Sequence, residues 1–240
     1  MLKPDERRIL DKGFVRLVEM MGDDYSPVQA ARVSTGKGLT TPERDRKLIL
    51  YLMENAHHSP FEHIVFKFHI KVPIFVMRQL VRHRIASINE RSGRYAEFEE
   101  DWYMPESARV PEKGNIQGSV FSDDEELNQK TLALIEESVS SSYETYRRLL
   151  ELGVARELAR IVLPTAMYTE FYWTINARSL MNFLSLRADS HAQYEIRECA
   201  EAIAEIFKKM CPMTFEAFVR YHYSGDIIRR GVQNDAQESS

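Results

Sequence analysis

The chain has 240 residues, enough to bury a full core in one domain, and it is 44% hydrophobic and 28% charged, as soluble globular proteins are. With 36 Asp+Glu against 32 Lys+Arg its net charge is -4, which argues against a dedicated nucleic-acid binder. No apolar run reaches membrane-spanning length, Met1 to Arg8 lacks the apolar core of a signal peptide, and two cysteines are too few for a disulfide framework, so a cytoplasmic protein is expected.

In chain order, Phe14 to Glu19 reads as a short strand and Gly22-Asp23-Asp24 as a turn. Ser26-Pro27 opens a brief helix through Ala31. Thr41 is an N-cap, with Pro42 at the first position of a helix that runs to about Ala56. Ile64, Phe66, Phe68, Ile70 and Val72 alternate with Val65, Lys67, His69 and Lys71, which predicts a strand with one buried face. Pro73 starts a helix of about ten residues. Residues 104–122 read as loop. Ser122-Asp123-Asp124-Glu125 has the spacing of a capping box before a long helix, with Leu132, Ile135, Val139, Tyr146 and Leu149 toward the core. Gly153 ends that helix, and a short one to Val162 stops before Pro164. Tyr168 to Trp173 predicts a strand. Asn176 caps the next helix, Asp189 or Ser190 caps another through about Met210, and Pro212 starts a last one to about His222. The expected architecture is α+β: a single mainly helical domain over 1–230 with a small, largely antiparallel sheet. Residues 231–240 are expected to be a frayed polar tail.

The most informative segment is Arg82-His83-Arg84-Ile85-Ala86-Ser87-Ile88-Asn89-Glu90-Arg91-Ser92-Gly93-Arg94-Tyr95. It sets four guanidinium groups around a single acid in an otherwise acidic protein. Guanidinium forks bind phosphate and stay charged at any working pH, so a compact anion such as a nucleotide phosphate is the natural partner. The plain alternative is a solvated basic face. Gln79 and Arg82 fall at i and i+3 of the helix begun at Pro73, which places an amide beside a guanidinium.

Three other segments carry polar groups. His57-His58-Ser59-Pro60-Phe61-Glu62-His63 invites a metal reading, but its spacing is not that of a zinc helix, and no metal site is assigned. A helix end with histidine at the C-terminal dipole is the alternative. Arg178 and Asn182 project together at i and i+4 after Asn176, although capping and a surface arginine would also explain them. Arg187 lies about half a helical turn from the Arg178 face, so the two arginines are expected to serve different pockets. Arg160 can be read as a core-edge ion pair. No Gly-x-Gly-x-x-Gly follows a strand, and Ser34-Thr35-Gly36-Lys37-Gly38 lacks phosphate-loop spacing and reads as a mobile turn. Cys199 sits on an apolar helical stripe and Cys211 precedes Pro212, so no thiol nucleophile is assigned.

Arg82-His83-Arg84, seven residues and then Ser92 form a pattern that resembles the signature of flavin-dependent thymidylate synthases. His57-x-x-Pro60-Phe61-Glu62-His63, the segment at Asn176, and those around Arg187 and Arg160 extend the resemblance from about residue 11 to 225, with 97–125 unmatched. The resemblance implies reductive methylation of dUMP to dTMP, with methylenetetrahydrofolate as carbon donor and NADPH-reduced FAD as hydride source. It implies a dUMP site from Gln79, Arg82, Glu90, Arg91, Ser92, Gly93, Arg94, Arg160 and Arg187. It implies FAD contacts from His57, Ser59, Glu62, Arg82, His83, Arg84, Ile85, Asn176, Arg178 and Asn182. Arg187 is the expected catalytic residue: an arginine is a poor base, so its work would be electrostatic, at the N3–O4 edge of the ring. The resemblance also implies a homotetramer with shared active sites. The role of the Arg91 side chain is left open. The rival reading is a non-catalytic nucleotide- or RNA-binding protein, and the acidic net charge counts against it.

Overall fold

Alternation in one strand organises the molecule. In the computed structural model, which describes residues 5–36, 38–115 and 118–228, β3 (Val65–Pro73) turns Phe66, Phe68, Ile70 and Val72 to a core where none is exposed. β3 pairs antiparallel with β2 (Gly13–Met21) on one side and β7 (Tyr168–Asn176) on the other. Register sets Phe66 opposite Ile175, Phe68 opposite Trp173 and Ile70 opposite Phe171, so the apolar sides of both strands share one face. The other face carries Lys67, His69, Lys71, Glu170, Tyr172 and Thr174. β1 (Asp5–Ile9) and β4 (Ser87–Glu90) complete a five-stranded antiparallel sheet ordered β1-β2-β3-β7-β4.

Helices cover the apolar face. They are α1 (Ser26–Arg32), α2 (Pro42–Glu54), α3 (Ile74–Leu80), α6 (Ala177–Arg187), α7 (Tyr194–Met210) and α8 (Pro212–Tyr221). A second cluster, with Trp102, Val139, Tyr143 and Tyr146, lies under α4 (Glu125–Glu151) and α5 (Arg156–Ala159). Among the described residues no helix is long and apolar enough to cross a membrane.

The α+β class with a small antiparallel sheet holds. Thr41 caps α2 by accepting the Arg44 N–H, and Asn176 caps α6 by accepting that of Ser179. Several local readings are corrected. Residues 104–122 are not all loop: β5 (Arg109–Pro111) and β6 (Ser119–Phe121) pair as a hairpin. The basic segment supplies β4, whose short pattern is masked by its polar residues. α4 is capped by Asp124, which accepts the Leu127 N–H, while the Ser122 hydroxyl accepts the N–H of Asp124. α7 starts after Gln193 without a side-chain cap, because Asp189 accepts the His191 N–H and Ser190 donates its N–H to Asp226. α3 ends at Leu80, so Arg82 lies in the turn beyond it. The tail 231–240 lies outside the described residues, as does Lys37 of the Ser34–Gly38 turn.

Candidate functional site

The strand-to-helix junction at Asn176 sets the first cavity, of about 620 Å³. Arg178 and Asn182 project from α6 one turn apart, and the turn 82–85 supplies Arg82, His83, Arg84 and Ile85 opposite them. Glu62 of the short 3-10 turn Ser59–His63 closes one side. Arg187 lines the same cavity, which corrects the expectation of separate pockets for the two arginines. The reason is a reach across the turn: Arg187 Nε donates to His83 Nε2 at 3.3 Å.

That contact needs a neutral imidazole. Burial, and then the Arg187 charge, pull His83 down to about 4, which leaves its Nε2 lone pair free to accept. The ring also meets the edge of Phe183 at 4.9 Å, so it is fixed on two sides. Burial pulls the Arg187 guanidinium below its ordinary value. Four guanidinium groups thus face one carboxylate in a protein of net charge -4. Ile85, 75% exposed, and Leu186, 55% exposed, add apolar surface. Guanidinium groups with amides and an apolar wall fit a dinucleotide that carries both a pyrophosphate and a flat ring.

His57 and Ser59 do not line this cavity. His57 turns its ring toward Tyr51, at 6.2 Å. Behind the cavity His58 packs on His222 at 4.5 Å; burial, and then Arg178, hold both imidazoles below their ordinary value, His58 at about 4. Among the described residues no three His, Cys, Asp or Glu groups converge as metal ligands would.

A second cavity of about 510 Å³ opens on the polar face of the sheet. Glu90, Arg91 and Ser92 line it, with Asn89, Tyr95, His69, Glu170, Phe171 and Tyr172. β4 delivers Glu90 to the sheet edge, where its carboxylate accepts the Thr169 hydroxyl at 2.7 Å. His69 bonds Glu170 at 2.9 Å and stacks on Tyr172 at 4.9 Å. The Arg91 side chain folds back on its own loop, donating to the Glu97 carbonyl and pairing with Glu99, both at 3.0 Å. Beside it Gly93 is buried, and a Cβ there would lie 2.5 Å from the Phe98 ring and 3.3 Å from Arg160 Cδ. A larger residue fits only if the Phe98 ring shifts and the Arg160 side chain gives way. Arg94 pairs with Glu157 at 3.0 Å.

The expected dUMP residues are therefore divided on one chain. Arg82 and Arg187 stand in the first cavity; Glu90, Arg91 and Ser92 stand in the second, with Gly93, Arg94 and Arg160 alongside. Gln79 lines neither; its amide donates to Gln193 at the start of α7. Ser179, Leu186, His69, Glu170 and Tyr172 are lining residues that the motifs did not single out. The period-2 pattern of β3 did carry one usable signal, since it puts His69 on the polar face. Neither cysteine lines either of these two cavities, and burial raises both thiols, Cys199 to about 12.

Comparisons with known proteins agree on one family. The family model described as "Thymidylate synthase complementing protein" matches residues 16–213. A flavin-dependent thymidylate synthase from Kosmotoga olearia is 70% identical over 93% of this chain and 97% of its own length. One from Thermosipho africanus is 61% identical over 94% and 99%, and one from Thermus thermophilus 51% identical over 92% and 81%. Among solved structures, the UMP/dUMP methylase PolB from Streptomyces cacaoi bound with 5-Br dUMP superposes with a TM-score of 0.83 at 37% identity. It covers 92% of this chain and all of its own.

Proposed function

This chain belongs to the family whose relatives are named flavin-dependent thymidylate synthases, and from that premise we propose that it methylates dUMP to dTMP. Methylenetetrahydrofolate gives the carbon and leaves as tetrahydrofolate, NADPH is the reductant, and FAD is the cofactor, within one domain over 1–230 that works in the cytoplasm. The observation that carries this reading is the convergence of Glu62, the 82–85 turn, Asn176, Arg178, Asn182 and Arg187 on one cationic cavity, although they come from three separate parts of the chain. The PolB structure, whose ligand is a dUMP analogue, supports the nucleotide substrate.

A bound flavin supplies the hydride. The chain's own residues bind and redistribute charge. Arg82, Arg84 and Arg178 hold phosphate oxygens, and Asn176 and Asn182 offer amides to the dinucleotide. Arg187, held by neutral His83, keeps its guanidinium aimed at the N3–O4 edge of the uracil ring and stabilises negative charge there. Glu90, Ser92, Gly93, Arg94 and Arg160 hold the sugar and phosphate of the nucleotide from another protomer of a homotetramer, so each active site is shared. His57 and Ser59 reach the flavin from the rim, and Arg91 contributes through its loop rather than by direct contact.

The test is direct. Purified protein is scanned for flavin absorbance and then given dUMP, methylenetetrahydrofolate and NADPH. Bound flavin with dTMP formation is expected; a protein that binds neither flavin nor dUMP sinks the reading.

A further inference from the structure

The hairpin region left unmatched in the sequence meets the nucleotide residues through a chain of hydrogen bonds. Gln79 Nε2 donates to Gln193 Oε1. Gln193 Nε2 donates to Glu195 Oε2 at 2.9 Å. Glu195 is 1% exposed, and its other oxygen accepts the Tyr103 hydroxyl at 3.1 Å and the guanidinium of Arg109 from β5. Burial, and then the Glu195 charge, push the Tyr103 phenol well above its ordinary value, so it remains a donor.

The chemistry of this chain has a direction. A carboxylate between a guanidinium and a phenol only accepts. The amide it faces must therefore present its N–H, which leaves Gln193 with its carbonyl toward Gln79. Gln79 must in turn spend an N–H on Gln193. That bond fixes the orientation of the Gln79 amide and leaves its carbonyl oxygen, beside one remaining N–H, as the acceptor it can offer a ligand. An isolated glutamine flips its amide at little cost and reads donor and acceptor alike; one tied to a buried carboxylate does not.

Resting on the reading of Gln79 as a nucleotide contact, we infer that Arg109, Glu195 and Gln193 are positioning residues that fix the orientation of the Gln79 amide, so that its carbonyl oxygen stands where it selects a nucleotide group that donates. Two groups of dUMP qualify, the imide N–H of the ring and the 3′ hydroxyl of the sugar. A cytosine ring, which has an acceptor at N3, is rejected if the imide is the group read. The 97–125 region thus has a function at a distance: β5 brings the guanidinium that anchors the relay.

The test uses the full-length protein and the exposed link Gln193, whose change to Met keeps length and removes both hydrogen bonds. Binding of dUMP, N3-methyl-dUMP and 2′,3′-dideoxyuridine monophosphate is measured for the parent, Gln193→Met and Gln79→Met, with KM and kcat for dUMP. The parent is expected to lose tenfold or more for the one analogue that lacks the donor it reads. Gln193→Met is expected to raise KM for dUMP severalfold, to change kcat little, and to shrink that analogue penalty to threefold or less. An effect of Gln79→Met with Gln193→Met indistinguishable from the parent overturns the relay and leaves the Gln79 contact standing. If both variants bind all three nucleotides as the parent does, Gln79 is not a reader and the relay falls with it, while dTMP formation still decides the enzyme reading separately.

Discussion

The cavity at α6 sets four guanidinium groups against one carboxylate, whereas the cavity on the open sheet face sets one guanidinium, already tied to Glu99, against Glu90 and Glu170. The first attracts and neutralises a polyanion. The second offers acceptors, an imidazole and two tyrosine rings, and lacks the charge to hold a phosphate by itself. Each contains part of the set expected around one nucleotide. A second copy of the chain, bringing Arg82 and Arg187 to Ser92 and Arg160, would complete both.

The largest expected effect tests the cationic cavity. Arg187→Lys keeps a charge but loses the planar fork and the Nε–H that His83 accepts. Turnover to dTMP is expected to fall by about 10²-fold or more while bound flavin is retained, since removing one oriented donor in a preorganised site has that magnitude. Parental dTMP formation by a folded, flavin-bearing variant would remove the role given to Arg187.

The division between cavities is tested by mixing subunits. Arg178→Ala damages the first cavity and Arg160→Ala the flank of the second. If two protomers complete each site, random mixing of two inactive variants regains about a quarter of full activity, because one site in four draws an intact half from each. Hybrids verified by mass that stay inactive would place both halves on one chain.

Acid should weaken the first cavity more than the second. His83 has a native pKa of about 4 against an ordinary 6.5, so between those values the unfolded chain binds a proton that the native one refuses. The stability from neutral His83 is complete above about pH 6.5 and is lost as pH falls toward 4; His58 adds a slope of the same sign. Urea unfolding at pH 7.5 and 5 should show a smaller acid penalty for His83→Gln than for the parent. An unchanged penalty would mean that the imidazole is not held neutral.

Much of the fold was legible because burial writes a period into sequence. β3 alternates over nine residues and showed plainly, and caps at Thr41 and Asn176 carry a local hydrogen bond that residue type alone suggests. β4 and the hairpin β5–β6 were not legible, since they are three or four residues long and lack a buried side to mark them. The motif segments 82–85 and 176–182 were singled out and meet at one cavity; His69, Glu170 and Gln193 were not given a role, because only strand register and helix packing bring them to a cavity or a partner.

The cysteines probe chemistry outside both cavities. Cys199→Ser with Cys211→Ser places two hydroxyls in buried sites, which is expected to cost about 1–3 kcal/mol of stability at each. dTMP formation should survive at a temperature where the variant stays folded. Its near-complete loss in a folded, flavin-bearing protein would bring a thiol into the reaction.

The smallest expected effect concerns the approach to the first cavity. α2 ends with Ala56 at φ 54°, and His57 N–H reaches back to the Leu52 carbonyl at 2.8 Å, closing the helix in the manner usually given to glycine. A Cβ in that left-handed region costs about 1–2 kcal/mol, and the greater freedom of glycine in the unfolded chain offsets part of it. Ala56→Gly is therefore expected to stabilise the protein by about 0.5–1 kcal/mol in urea unfolding. The same change relaxes the turn that leads from α2 into His57 and Ser59. If those residues touch the flavin, the more stable variant should bind it more weakly. If stability rises and flavin affinity stays at the parental value, the conformation of Ala56 serves only to stop the helix, and the rim contacts expected of His57 and Ser59 lose their support.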